Sequence, residues 1–156
     1  MFEDAKRAIA ASSPDSSVYV GCDSVRFKKN GKWFARYATV VIVHYASRHG
    51  ASIFHDIQVL PEYDHKKEKG GNTKVRIVQE AMFAGMAAAE LADVLDGRYL
   101  EIHLDINPDP KYKSNVALTE AIGYVLGTTG VKPKVKPHAW AASHASDHCA
   151  RGKKLH

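Results

Sequence analysis

The sequence predicts an α/β domain built on a mixed five-stranded sheet: three antiparallel strands, then two parallel strands, flanked by helices. Three observations predict it. Between residues 18 and 60, three β-rich runs are joined by short turns. From residue 72 onward, helical and strand-like patterns alternate. Two of the strand-like runs, 18–25 and 100–107, each carry an aspartate near their C-terminal end, Asp23 and Asp105.

Residues 3–11 read as a short N-terminal helix, broken by the Ser- and Pro-containing segment 12–17. Strand one spans about 18–26. Asn30-Gly31 is a hairpin signal, because this pair tolerates the positive φ of tight turns. Strand two, about 32–46, is rich in Val, Ile, Tyr and Trp. Arg48-His49-Gly50 turns the chain into strand three, about 51–60, which ends at Pro61. Residues 63–71 are polar and Gly-containing, hence a loop. Asn72 or Thr73 caps a helix that runs to about Leu95, with Val75, Val78, Met82, Met86 and Ala89 at helical spacing. Asp96-Gly97 stops it. Strand four, 99–107, alternates cleanly, with Leu100, Ile102, Leu104 and Ile106 on one face and Glu101, His103, Asp105 and Asn107 on the other. Ser114-Asn115 caps a helix of about 115–127, strand five is about 131–136, and residues 139–150 form a last helix. Crossovers through a helix return parallel and right-handed, which orders the later strands.

At 156 residues the chain suits one domain, 1–156, with a basic tail at about 151–156. No apolar run approaches the roughly 18 residues of a membrane span, and residues 1–7 lack the apolar core of a secretory signal. Cys22 and Cys149 have no metal-type spacing and make no disulfide framework, so a reducing cytoplasm is the expected compartment. The formal charge is +5. Lysines and arginines cluster at 28–32, 66–76, 132–136 and 151–154, which favours a polyanionic partner.

A carboxylate suits a buried strand poorly, because burying its charge costs several kcal/mol or forces protonation. If the two strands are neighbours, Asp23 and Asp105 can hold a divalent ion between them. A strand-end aspartate also accepts loop N–H bonds, and that alternative stands beside the first.

The element order, with one aspartate in strand one and another in strand four, resembles the ribonuclease H-like fold. Longer strings resemble the YkuK-like family of bacterial and phage proteins, predicted nucleases related to ribonuclease H. These are residues 18–26, 33–41, 101–109, 114–127 and 131–143, and the likeness extends from about 17 to 151. It implies a divalent-metal-dependent endonuclease that hydrolyses DNA, RNA or hybrid with two Mg²⁺ or Mn²⁺ ions. It also leaves room for an inactive binding module on the same fold.

The resemblance implies that Asp23 and Asp105 are metal ligands, since they match the superfamily's two strand aspartates. Asp147 would be the last metal carboxylate, which RuvC-like members place in a C-terminal helix. His144 and His148 share its helical face. They suit water or substrate positioning better than Mg²⁺ ligation, because Mg²⁺ prefers oxygen. Glu80 is the candidate helix glutamate, although an i, i+4 pair with Arg76 explains it equally well. Ser24, His103, Asn107 and Lys134 are candidates for contacts around the site. Trp33, Tyr37 and Trp140 offer rings for base stacking, with core or rim packing as the plainer role. Dimerisation, as in RuvC-like resolvases, stays open.

Overall fold

The computed structural model describes residues 1–47, 49–63, 71–141 and 147–151. Helix α1 (Phe2–Ala11) precedes three antiparallel strands, β1 (Ser17–Lys29), β2 (Lys32–His44) and β3 (Ala51–Pro61). Helix α2 (Gly71–Leu95), strand β4 (Tyr99–Leu104), helix α3 (Leu118–Thr129) and the short α4 (Asp147–Ala150) follow. The sheet order is β3-β2-β1-β4, with β4 parallel to β1.

The hairpin forms where the sequence predicts it. Lys29 pairs with Lys32, and Asn30 and Gly31 take φ of 51° and 75° between them. Positive φ at both positions is the two-residue turn whose twist matches that of the flanking strands.

The sheet has four strands rather than five. Residues 131–136 contribute a single parallel bridge, Lys134 to His103. Lys134 N–H donates to Ile102 O at 2.8 Å, and Leu104 N–H donates to Lys134 O at 2.9 Å. Alternation then turns the backbone of Pro133 and Pro137 away from β4. Proline has no N–H to extend a ladder and is confined to such edge positions.

Strand β4 stops at Leu104, short of the expected 107. The Leu104 carbonyl accepts the Ile106 N–H at 2.9 Å, a three-residue turn centred on Asp105. Lys136 N–H therefore reaches on to Ile106 O at 3.0 Å.

One face of the sheet carries the main core, where Val18, Val20, Cys22, Val41, Val43, Ile102 and Leu104 meet α1 and α2. The buried stripe of α2 is Ile77, Ala81, Ala84, Ala88 and Leu91 rather than the larger residues the spacing suggested. Val75 and Met86 are exposed. Small residues win the inward face because they let the helix lie close to the sheet. Gly85 does the same toward α3: a Cβ there would sit 3.2 Å from Tyr124 Cε1. Ser114 and Asn115 do not cap α3. Ser114 Oγ accepts the Asn107 N–H at 3.0 Å, and Asn115 Nδ2 donates to Pro108 O at 2.9 Å, so both brace the loop after β4. On the opposite face, Ala38, Val40 and Ile42 pack with Ala141, Cys149 and Ala150.

Candidate active site

Strand pairing brings the two aspartates to one end of the sheet. Cys22 is level with Leu104 in the last rung of the parallel ladder, so Asp23 and Asp105 are the next residues on neighbouring strands. Adjacent strands lie about 4.8 Å apart. Asp23 stays in the β1–β2 ladder opposite Ala38 and is 9% exposed. Asp105 sits on the turn that ends β4, with Lys136 Nζ 3.0 Å from its Oδ1.

Glu80, on α2, feels the charges of both aspartates. It lies on the buried stripe of α2, is 6% exposed, and accepts a hydrogen bond from Ser24 Oγ at 2.5 Å. Burial pushes its carboxyl well above the ordinary range, and the charges of Asp23 and Asp105 add to the shift. The Ser24 hydrogen bond and the Arg76 guanidinium act in the opposite direction. Burial and the same Glu80 and Asp23 charges raise the Cys22 thiol. Burial, then Glu80 and Glu62, raise the Tyr37 hydroxyl.

Arg76 is not simply the i, i+4 partner of Glu80. Its Nε lies 3.4 Å from Glu62 Oε1, while Arg26 Nε meets Glu62 Oε2 at 2.6 Å. Glu62 thus links the end of β3 to both β1 and α2.

His103 is 0% exposed, and both of its ring nitrogens are engaged. Nδ1 accepts the Ala141 N–H and Nε2 meets Glu101 Oε2. Burial lowers its pKa, opposed by Glu101. Asn107 Oδ1 accepts the Asp109 N–H at 3.0 Å, which shapes the loop above β4. The Lys134 side chain acts on Glu101 and His103, whereas Lys136 pairs with Asp105. Sequence reasoning saw the lysine cluster but not this register. Only the pairing of residue 134 with residue 103 shows which lysine reaches the aspartate. Trp140 packs against Tyr19 and His103, Tyr37 is buried against Phe83, and Trp33 is exposed.

Helix α4 begins at Asp147 and lies against β1 and β2, on the face that carries Ala38. The side chains of Asp147 and His148 lie outside the described residues, as does the whole of His144.

Asp23, Glu80 and Asp105 supply the all-oxygen chemistry that Mg²⁺ and Mn²⁺ accept. Among the described residues, no three His, Cys, Asp or Glu side chains stand gathered as a ready metal-holding group. No helix among them is long and apolar enough to cross a membrane. No curated protein and no solved structure matches the chain. A family model described as ribonuclease H-like matches residues 1–151, nearly the whole length. The chain belongs to the ribonuclease H-like family.

Proposed function

We propose that the protein is a divalent-metal-dependent nuclease that hydrolyses phosphodiester bonds, within the YkuK-like branch of its family and in the cytoplasm. One observation carries the reading. A glutamate is buried on an otherwise apolar, alanine-rich helix stripe, hydrogen-bonded to Ser24 and electrostatically coupled to two strand-end aspartates. A structural role gives little reason to set Glu80 beside two like charges, whereas cations offset that repulsion. Asp23 and Asp105 would hold Mg²⁺ or Mn²⁺, with Asp147 from the last helix and Glu80 completing the set for two ions. When bound, divalent ions supply the Lewis acidity that activates water and offsets charge on the leaving oxygen.

The chain's own groups then have distinct tasks. Ser24 holds one Glu80 oxygen in place. Lys136 sets the charge beside Asp105 and is well placed for a phosphate. The turn at Asp105 takes that residue out of the regular ladder, beside Lys136. The test is to titrate Mg²⁺ and Mn²⁺ against labelled hybrid, duplex, branched and single-stranded substrates, with calorimetry for the metal. Metal uptake with cleavage of at least one substrate is expected. No cleavage and no metal binding would return the chain to a binding module.

A further inference from the structure

Two clefts with shared lining residues open between the β1–β2 hairpin, the end of β3 and the first turns of α2. The inner cleft, about 350 Å³, has apolar walls from Tyr37, Leu60 and Val75, with Arg76 and Gln79 of α2 also lining it. The outer, about 560 Å³, is bordered by Arg26, Lys32 and Trp33. Pro61, Glu62, Tyr63 and Asn72 line both. Each falls within the roughly 300–1,000 Å³ of small-ligand pockets.

The chemistry of the walls selects the ligand. Trp33 and Tyr63 are large aromatic residues left 43% and 70% exposed at the rim. The Arg26 guanidinium lies 4.4 Å from the Trp33 ring centroid and Lys28 Nζ 5.7 Å from it, so cations surround the indole. Exposed rings among cations are the platform on which unpaired bases stack while their phosphates are neutralised. Glu62, which lines both clefts, is held in place by Arg26 and Arg76.

We propose that this groove binds an unpaired nucleic-acid strand, one base stacked on Trp33 and the next inserted between the apolar walls of the inner cleft. A duplex hides the faces of its bases within its own stack, so the groove favours single strands or frayed ends. This rests on the nuclease reading only for its direction, which takes the strand along α2 from the cleft toward the turn of Glu80.

The test is binding without chemistry. Fluorescence anisotropy in EDTA compares a labelled single strand with a duplex of equal length, for the wild type, Trp33→Ala, Trp33→Phe and Lys32→Glu. Preference for the single strand is expected, with about a ten-fold loss in Trp33→Ala and Lys32→Glu and partial recovery in Trp33→Phe. Equal affinity for both substrates, or unchanged affinity in both Trp33→Ala and Lys32→Glu, overturns the groove. If single strands bind as expected but Mg²⁺ and Mn²⁺ give no cleavage of any substrate, the groove stands and the nuclease reading fails. If duplex is cut while single strands do not bind, the reverse holds.

Discussion

The Ala141 N–H donates to His103 Nδ1 at 3.0 Å, while His103 Nε2 meets Glu101 Oε2 at 2.8 Å. An imidazole that accepts at Nδ1 carries its proton on Nε2, so this geometry fixes one neutral tautomer. The ring therefore ties β4, the strand that leads into Asp105, to the segment around Ala141. Removing it leaves a cavity and an unpaired buried N–H, so His103→Ala is expected to cost about 3 kcal/mol. His103→Asn keeps an acceptor near the Nδ1 position and should recover part of the loss. His103→Gln, which mimics Nε2, should recover less. Chemical denaturation reads the stability, and Trp140 emission in a Trp33→Phe background reads the local packing. Equal behaviour of the Asn and Gln variants would show that the Ala141 bond contributes nothing.

Asp23→Asn preserves shape and one acceptor oxygen while removing the charge. It is expected to fold normally and to lose activity by about a thousand-fold or more. Circular dichroism checks the fold, and a cleavage time course checks the rate. A variant that cuts at the wild-type rate removes Asp23 from the mechanism.

Glu80 gives the protein a pH dependence whose sign follows from its raised carboxyl. In the folded state the proton stays on above the ordinary value of 4.5, while the unfolded chain has already lost it. Stability from this group is complete below that value and falls as pH rises, by up to roughly 1.4 kcal/mol per pH unit until the folded group ionises. In metal-free buffer, Glu80→Gln should therefore melt higher than the wild type at pH 8, with the gap closing toward pH 4. Added Mn²⁺ should narrow the gap at pH 8 by stabilising the wild type. A constant difference across the pH range would contradict the burial argument.

Lys136 and a divalent ion compete for the same Asp105 carboxylate. Lys136→Ala is expected to lower the Mg²⁺ concentration needed for half-maximal thermal stabilisation by about five-fold. Differential scanning fluorimetry against Mg²⁺ measures it. An unchanged midpoint would mean that the lysine does not guard the site.

Much of the fold was legible because local chemistry determined it. Asn30-Gly31 admits only a few turns, and Asp96-Gly97 ends α2 with φ of 45° and 79°. The fifth strand failed because hydrophobic alternation at 131–136 outweighed what Pro133 and Pro137 withhold, namely backbone donors. The inward face of α2 was misjudged because large apolar residues signal burial more loudly than alanines. Asp23 and Asp105 could be paired through the resemblance to the ribonuclease H-like fold, which makes strands one and four neighbours. Glu80 could not be told from a surface glutamate until Ser24 and the alanine stripe surrounded it. The Asp105–Lys136 pair was hidden for a similar reason: it depends on a register shift at one three-residue turn. His103 was read as a candidate for contacts around the site, since no sequence pattern announces a histidine whose two nitrogens are both satisfied.

The two prolines beside Lys134 also decide how this sheet can grow. Pro133 and Pro137, turned from β4 on either side of Val135, offer no donors at two of the three outward positions, so a further strand arriving there would find a broken ladder. Strand β3, at the other margin, has no proline before Pro61. Recruitment of a partner by strand addition, including a second copy of this chain, is thereby steered to β3, away from the lysine that meets Asp105.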